Sequence, residues 1–405
     1  MNKFKEIDKR LIPEVNIGTA GHVDCGKSTI VEMMSGKWPA VHSEELKRGI
    51  TIKLGYADAT VYFCKSCNAY FNSERCPTCS TQCEPKRTLS FIDAPGHETL
   101  MATVLAGACL MDGVLLVIAA NEKCPQPQTK EHLLALDIVG IKNIVIAQNK
   151  IDVVSEERAL ESYREIKEFI KGTVAEDAPI IPVCAQKRIG LEHLLAAIEE
   201  RIPTPKRQLT KPPRMLVVRS FDINKPGAKP NDIKGGVLGG ALIAGSLRVG
   251  EEIEIKPGVK LKGQWQPLKT SIVGLQKAGK NLESVGAGGL LGVLTTLDPS
   301  LTKADSLSGS VAGNELPPTC NEISIEINLL KSILGSKELI EKPRVGEQLM
   351  LNIGTARTIG TVKMARKNRV DIELKLPVCC EVGERAVLSR RIAERWRLIG
   401  FGKII

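Results

Sequence analysis

The first half of the chain alternates short apolar runs with stretches of helical periodicity, and no other feature restricts the fold as strongly. The runs are rich in β-branched residues: VNIGTA (15–20), LSFIDA (89–94), GVLLVIAA (113–120), NIVIAQ (143–148) and IIPVCA (180–185). An intervening stretch, EERALESYREIKEFIKG (156–172), repeats apolar residues every three or four positions. Buried strands alternating with helices indicate a mostly parallel sheet with helices on both faces. Ligands of such sheets bind at the carboxyl ends of the strands.

The second half of the chain has a different residue pattern. The segment RIPTPKRQLTKPPR (201–214) contains four prolines and reads as a linker. Beyond it, short strands are separated by glycines, a pattern typical of β-barrels or sandwiches, and only KSILGSKELIEK (331–342) offers a brief helix-like window. The segment SLSGSVAGNELPP (306–318) interrupts the strands and predicts a boundary near residue 310.

Charge divides the chain in the same place. Residues 1–210 hold 26 Lys and Arg against 27 Asp and Glu, a net charge of −1, whereas residues 211–405 hold 30 against 19, a net charge of +11. A basic half joined to a neutral half indicates a polyanionic partner, with a solvated basic face as the alternative. The N-terminus lacks the apolar region of a secretory signal and no long apolar run occurs, so we expect a cytoplasmic protein that does not enter a membrane.

A phosphate-binding motif directly follows the first apolar run. GHVDCGKST (21–29) matches G-x-x-x-x-G-K-[ST], with Gly21, Gly26, Lys27 and Ser28 at the defining positions. The glycines allow backbone N–H groups to surround a phosphate, the lysine supplies a charge to the β and γ phosphates, and the serine hydroxyl can bind Mg²⁺. We therefore predict a nucleotide-binding loop that includes Asp24, Cys25 and Thr29.

Each later strand end adds a further part of a guanine-nucleotide site. Asp93 follows LSFIDA and can hold a Mg²⁺-bound water, and the Gly96 amide can sense a γ-phosphate. The motif N149-K-I-D152 follows NIVIAQ: Asp152 can accept from N1–H and the N2 amine of guanine, which adenine cannot offer. Asn149 would brace the phosphate loop and the Lys150 stem would cover the base. Backbone N–H groups of Cys184, Ala185 and Gln186 can reach guanine O6.

Two residues in the intervening segments fit the parts of a nucleotide switch. Thr51, in RGIT (48–51), can complete the Mg²⁺ shell only while a γ-phosphate is present, which makes it a candidate order–disorder switch. His97 can orient the attacking water. The alternative is a structural histidine whose hydrogen bonds are made within its own loop.

Five cysteines lie between these two switch residues, in CKSCNAYFNSERCPTCSTQC (64–83). In a reducing compartment, two C-x₂-C turns favour a tetrahedral Zn²⁺ site over disulfides. The predicted ligands are Cys64, Cys67, Cys76 and Cys79, with Cys83 left over. Four protein ligands leave no open position, so we predict a structural knuckle at about 60–85; reduced surface thiols are the alternative.

Taken together, these motifs resemble the translational GTPases, and most closely the gamma subunits of archaeal and eukaryotic translation initiation factor 2. The resemblance rests on GHVDCGKST, RGITIKLGY, DAPGHETLMATVLAGACLMDG, AANEKCPQPQTKEH and QNKID, and it continues through GGVLGG and LDPSLTKADSL across essentially the whole chain. The sequence departs from the usual pattern at Cys25 and Cys184, but both positions act through backbone N–H groups.

The resemblance implies an α/β P-loop GTPase domain, residues 1–208, followed by two β-barrel domains, residues 209–310 and 311–405. It implies GTP and GDP as ligands, methionyl initiator tRNA and the small ribosomal subunit as partners, and separate alpha and beta subunits. It also implies that Val23 and Ile50 form a hydrophobic gate before His97, and that Asp24 and the Gly49 carbonyl bind a second Mg²⁺ beside the first at Ser28 and Thr51.

The same motifs leave other GTPases open. An elongation or selenocysteyl-tRNA factor would share the nucleotide motifs, although such relatives lack the cysteine cluster. A GTPase subunit of sulfate activation would share the three-domain plan. The switch segments offer no arginine in an obvious finger position, so we expect slow intrinsic GTP hydrolysis that a partner accelerates.

Overall fold

The structure is a computed structural model, and it describes residues 7–39, 54–95, 101–225, 227, 229–332, 339–392 and 395–405. The chain divides into two compact units, residues 5–205 and residues 206–405. Each is built around its own sheets.

The first unit is organised by a seven-stranded sheet in the order β3-β2-β4-β1-β5-β6-β7. Strands β4, β1, β5, β6 and β7 are parallel, and β2 and β3 extend the sheet antiparallel. The strands are β1 (Pro13–Ala20), β2 (Gly55–Cys64), β3 (Ala69–Phe71), β4 (Glu84–Asp93), β5 (Gly113–Ala119), β6 (Ile144–Asn149) and β7 (Ile180–Pro182). The edge strands β3 and β7 are three residues long.

Helices cover the sheet. They are α1 (Lys27–Ser35), α2 (Met101–Ala108), α3 (Pro127–Val139), α4 (Glu156–Ile170) and α5 (Leu191–Arg201), with short 3₁₀ turns at Lys9–Leu11 and Ile151–Val153. Val15 and Ile17 of β1 join one apolar cluster with α1 and α5, while α3 contacts β1 and α2. All seven residues of β5 are buried, as expected for a central strand covered on both faces. The sheet therefore presents its strand ends, not its faces, to a ligand.

The second unit begins with a closed six-stranded barrel. Its strands are β8 (Arg214–Phe221), β9 (Val237–Ala244), β11 (Glu252–Leu261), β12 (Gln264–Lys277), β15 (Leu290–Thr295) and β16 (Val311–Gly313), and pairing of β11 with β12 closes the ring. The small strand β13 (Lys280–Leu282) adds to β12, and β10 (Ser246–Arg248) pairs with β14 (Ser284–Gly286). Short 3₁₀ turns lie at Pro230–Asp232 and Pro299–Asp305.

A second six-stranded barrel completes this unit, in the order β17-β20-β19-β18-β21-β22. The strands are β17 (Thr319–Leu329), β18 (Gln348–Ile353), β19 (Ala356–Arg366), β20 (Arg369–Cys379), β21 (Arg385–Ile392) and β22 (Arg395–Ile404). Arg214 of the first barrel forms ion pairs with Glu384 and, at 3.2 Å, with Glu381 of the second. Because the Arg214 side chain is largely buried, these pairs tie the two barrels together more firmly than exposed pairs would.

The architecture confirms the predicted α/β GTPase fold followed by two β-barrels. Most of the predicted helix-like window at 331–342 lies outside the described residues; within them, Ser332 bridges Leu339 in the manner of a strand. The domain boundaries at 208 and 310 stay predictions; β16 (Val311–Gly313) pairs with β8 and β11 just beyond the second of them. Among the described residues, no helix combines the length and apolar character needed to cross a bilayer.

Candidate GTP-binding site and metal centre

The phosphate loop connects the end of β1 to the start of α1. Gly26 occupies the N-cap of α1 with φ 93°, in the left-handed region that favours glycine. The buried Lys27 ammonium donates to the carbonyls of Gly21 at 3.2 Å and His22 at 2.6 Å. The loop thus holds the Lys27 ammonium beside the N–H groups of a helix N-terminus, where an anion can bind.

Asn149, the last residue of β6, joins this loop to a second one. Its amide nitrogen donates to the Cys25 carbonyl at 2.9 Å, and its oxygen accepts from the Ala185 N–H at 3.1 Å. A Cβ added to Gly26 would lie 2.3 Å from the same amide nitrogen. The side chain is buried, so both of its polar ends are held in place.

A buried carboxylate lies beside the loop. Asp93, at the end of β4, is completely buried, and its two oxygens accept from the Thr19 hydroxyl at 2.7 Å and the Ser28 hydroxyl at 2.6 Å. Thr19 also accepts from the Ala94 N–H at 3.1 Å. A fixed carboxylate next to a hydroxyl forms the hard oxygen set that suits Mg²⁺. Thr19 is not among the site residues that the motifs predict, although a polar residue near the end of an apolar strand is a usable signal.

The residues predicted to read the base lie at the ends of β6 and β7. Lys150 has φ 63°, and Asp152 forms an ion pair with Lys187 at 3.1 Å. Hydrogen bonding from the Cys184 thiol, followed by Lys187, lowers the pKa of Asp152, so this carboxylate is ionised at neutral pH. Cys184 and Ile189 exchange backbone hydrogen bonds of 3.1 Å across the loop that holds Ala185 and the exposed Gln186.

His132 of α3 is a further residue at this site that no motif predicts. Its ring is fully buried, and Nδ1 accepts from the Gly21 N–H at 2.9 Å. Burial lowers the pKa of His132 to about 3, so the imidazole is neutral and carries its proton on Nε2. A buried polar residue within the helix sequence QTKEH was the only signal, because its partner is 111 positions away.

Cys25 is buried within the loop, and its thiol lies 3.0 Å from the His22 carbonyl. Burial raises the pKa of this thiol, which disfavours the reactive thiolate. Asp24 is exposed with φ 61°, while Val23 and Thr29 are partly exposed. The predicted residues Gly49, Ile50, Thr51, Gly96 and His97 lie outside the described residues.

The four predicted zinc ligands converge on one point. Their sulfurs lie within 4.8 Å of one another, with Cys64 to Cys79 at 3.5 Å and Cys67 to Cys76 at 3.7 Å. A tetrahedral site with Zn–S bonds of about 2.3 Å has S···S edges of about 3.8 Å, so the spacing fits Zn²⁺. Cys83 is buried nearby but lies outside this set.

The four thiols of the cluster influence one another's ionisation. Hydrogen bonding with Thr81, whose hydroxyl is 3.2 Å from the Cys79 sulfur, lowers the pKa of Cys79 to about 6. Hydrogen bonding to Cys79 raises the pKa of Cys67 to about 12. Four neighbouring sulfurs cannot all ionise unless a cation compensates them, and a bound metal would deprotonate the whole set.

Comparison with known proteins places this geometry in a family. The family described as "Elongation factor Tu GTP binding domain" matches residues 13–204, and "Initiation factor eIF2 gamma, C terminal" matches residues 321–404. Among solved structures, a bacterial selenocysteine-specific elongation factor matches with a TM-score of 0.75 and 23% identity, over 97% of this chain and 58% of the other. The elongation factor SelB of Methanococcus maripaludis, in complex with a GTP analogue, matches with a TM-score of 0.71 and 21% identity, over 97% of this chain and 79% of the other. These two similarities support the fold.

Curated relatives are much closer in sequence. The translation initiation factor 2 gamma subunit of Methanothermobacter thermautotrophicus is 58% identical, covering 96% of this chain and 98% of the relative. The gamma subunits of Methanocaldococcus jannaschii and Pyrococcus furiosus are 56% and 54% identical, each covering 96% of this chain and 97% of the relative. The chain therefore belongs to the family of translation initiation factor 2 gamma subunits, the GTP-binding and GTP-hydrolysing translation initiation factors.

Proposed function

We propose that the chain carries methionyl initiator tRNA to the small ribosomal subunit in its GTP form and releases it after hydrolysis. The observation that carries this proposal is the 58% identity to a gamma subunit over nearly the full length of both chains. In this role the chain would be the core to which separate alpha and beta subunits attach, and it would act in the cytoplasm. The domain division at 208 and 310 belongs to the same proposal.

The nucleotide roles follow from the contacts of each side chain. Lys27 would leave its loop carbonyls to meet the β and γ phosphates, with N–H groups of residues 24–29 around them. Asp152 would read N1–H and the N2 amine of guanine. The Asn149 contacts support simultaneous closure of both loops, because one amide braces the phosphate loop and the O6-binding segment 184–186. The Lys150 stem would cover the base.

Magnesium fits the oxygen donors near the phosphate loop. Ser28 and Thr51 would bind the ion directly and Asp93 would hold one of its waters, since Asp93 already accepts from the Ser28 hydroxyl. Asp24 and the Gly49 carbonyl would bind a second ion. When bound, Mg²⁺ supplies charge neutralisation to the phosphates. His97 would orient the attacking water behind a gate of Val23 and Ile50, and hydrolysis by the isolated chain would be slow.

Two basic hairpins of the second barrel support the proposed contact with RNA. Because β18 pairs antiparallel with both β19 and β21, the β19–β20 and β21–β22 hairpins turn at the same end of the barrel. These hairpins hold the basic runs KMARKNR (363–369) and RRIAERWR (390–397). Arg366 and Lys367 are exposed at the first turn. This end is suited to contact phosphate groups of tRNA or of ribosomal RNA.

Filter binding of the full chain to tRNA tests the proposal. Initiator and elongator tRNAs, charged with methionine or uncharged, are titrated in the presence of GTP or GDP. We expect tight binding only for charged initiator tRNA with GTP. Equal binding of elongator tRNA would instead favour an elongation factor, and no tRNA binding in either nucleotide state would favour a metabolic GTPase such as one for sulfate activation.

A further inference from the structure

One residue of the zinc knuckle contacts the helix that begins at the phosphate loop. Asn72 directly follows β3, between the two cysteine pairs. Its amide nitrogen donates to the carbonyls of Met33 at 3.0 Å and Met34 at 2.8 Å. These carbonyls belong to the last turn of α1, where a helix leaves its C=O groups without intrahelical partners. A knuckle side chain therefore caps the C-terminus of the helix whose N-terminus faces the phosphates.

The oxygen of the same amide makes a second connection. It accepts from the Arg188 guanidinium at 3.2 Å. Arg188 has φ 57° and lies in the loop between β7 and α5 that carries Cys184, Ala185 and Gln186. That loop is the segment to which we assign recognition of guanine O6.

The two connections meet again at Asn149. Ala185, in the Arg188 loop, donates to Asn149, and Asn149 donates to the Cys25 carbonyl at the start of α1. Asn72 thus joins the knuckle to both the phosphate-loop helix and the base-recognition loop, and Asn149 joins that loop back to the helix. The three partners of Asn72 belong to the two elements to which we assign nucleotide binding, 38 to 39 and 116 positions away in sequence.

We propose that Asn72 is a positioning residue for guanine-nucleotide binding, through which the zinc knuckle holds the phosphate-loop helix and the base-recognition loop at a fixed separation. The inference rests on the proposed nucleotide site. Four sulfurs at metal-binding spacing give the knuckle a rigid base, and Asn72 is the short side chain that projects from it to both elements. The knuckle then contributes to nucleotide residence time, beyond stabilising the fold.

Removing this amide frees two helix carbonyls and one guanidinium, and it leaves the loops to close around the nucleotide without a common support. Pre-organisation of a binding site chiefly affects the dissociation rate. We expect Asn72→Ala to raise the dissociation rate and the Kd of GDP by about three- to tenfold.

The test uses the full chain and a fluorescent GDP analogue. Dissociation rates are measured for the wild type, for Asn72→Ala, for Arg188→Ala and for the double variant, with zinc content determined for each. Ser73→Ala is the matched control, because the Ser73 hydroxyl donates only within the knuckle, to the Arg75 carbonyl at 2.7 Å. We expect both single variants to release GDP faster, the double variant to be no faster than Asn72→Ala, and Ser73→Ala to match the wild type.

Unchanged release from Asn72→Ala, or fully additive effects in the double variant, would overturn the inference. If Asn72→Ala loses zinc, Arg188→Ala decides, because Arg188 lies outside the knuckle. Failure of the proposed nucleotide site would look different: the wild type itself would then bind GDP no better than ADP.

Discussion

At the scale of single residues, the phosphate loop depends on a close approach between Gly26 and Asn149. The left-handed φ of Gly26 and the 2.3 Å separation between its hypothetical Cβ and the Asn149 amide leave no room for a side chain. Asn149 cannot retreat without giving up its hydrogen bonds to Cys25 and Ala185. The start of α1 and the base-recognition loop are therefore coupled, because Asn149 can contact both only while residue 26 has no Cβ.

Gly26→Ala is expected to weaken GDP binding by at least about tenfold, because the new methyl displaces Asn149 and loosens both loops. Equilibrium titration with a fluorescent GDP analogue measures the effect. Gly36→Ala is the matched control: it lies at the other end of α1, also with positive φ (70°), but an added Cβ meets nothing within 4 Å. It should cost stability while leaving GDP affinity unchanged, and equal losses in both variants would contradict the steric argument.

His132 gives the fold a dependence on pH. Its native pKa of about 3 lies below the unfolded value near 6.5, so the unfolded chain takes up a proton first as the pH falls. The neutral His132 stabilises the fold above about pH 6.5, and that contribution is lost toward pH 3. The loss amounts to about 1.4 kcal/mol per pH unit, or about 2 kcal/mol between pH 7 and pH 5. Lys27 and His22 act in the same direction.

His132→Gln should flatten this dependence, because glutamine can still accept from the Gly21 N–H and does not titrate. Urea unfolding of the full chain at pH 7, 6 and 5 measures the free energy of unfolding. The wild type should lose more stability than the variant on acidification, by about 2 kcal/mol. Parallel pH profiles for the two proteins would show that folding does not lower the pKa of His132.

At the scale of secondary-structure elements, an arginine connects β4, the strand that follows the cysteine cluster, to α5, the last helix of the first unit. Arg87 of β4 forms an ion pair with Glu199 at 2.7 Å and donates to the carbonyls of Ile198 at 3.3 Å and Ile202 at 2.8 Å, at the C-terminal end of α5. It also reaches the Thr204 hydroxyl at 3.1 Å. Both charged side chains are largely buried, so removal of one leaves the other unpaired.

We expect Arg87→Ala to lower the free energy of unfolding by about 2–4 kcal/mol. Chemical unfolding followed by ellipticity measures the loss. Lys86→Ala is the matched control: the neighbouring Lys86 ammonium stacks over the Phe63 ring at 4.9 Å, a contact that contributes about 0.5–1 kcal/mol when exposed. If the free energy of unfolding falls no more for Arg87→Ala than for Lys86→Ala, the contacts of Arg87 do not hold β4 against α5.

The metal centre makes a separate prediction at this scale. Purified protein should contain about one equivalent of zinc, and Cys64→Ser should lose most of it, because three sulfurs bind Zn²⁺ less tightly than four. Elemental analysis after gel filtration measures the content. Cys83→Ser is the control, since Cys83 is buried in the same cluster but lies outside the ligand set. Loss of zinc from Cys83→Ser alone would mean that the ligands are assigned wrongly.

The elements that the sequence predicted well are those with locally complete signals. Central parallel strands are buried on both faces, so the apolar runs at 113–120 and 143–148 match β5 and β6 within one residue. β2 escaped detection because its buried positions alternate with partly exposed ones, and β4 begins at Glu84, ahead of the apolar run, because its first residues pair with β2 beside the knuckle. Asn72, Arg188 and His132 could not be found from sequence, since their partners are distant in the chain.

At the scale of the whole molecule, the uneven charge defines what the second unit can bind. Several basic side chains at the hairpin end of the second barrel are already paired, such as Lys363 with Glu373 at 2.5 Å and Arg369 with Asp371 at 3.0 Å. The second half as a whole keeps an excess of positive charge, because residues 211–405 hold 30 basic against 19 acidic side chains. RNA binding should therefore depend strongly on salt.

Replacing Arg366 and Lys367 with glutamine should reduce the slope of log K against log salt concentration for RNA binding by about 1 to 2. The slope is measured by filter binding at several salt concentrations. Lys260→Gln is the control, since this exposed lysine lies on the first barrel. An unchanged slope for the hairpin variant would place the RNA contacts elsewhere on the basic half.

The short outer strands of the first unit have a consequence for how the protein behaves at high concentration. An open sheet exposes unpaired N–H and C=O groups along its borders, where another chain can add as a further strand. Here β3 and β7 are three residues long, and β7 ends at Pro182, which has no N–H to donate. A strand from another chain could form only a few backbone hydrogen bonds at either edge. Self-association through edge-to-edge strand pairing is thereby disfavoured.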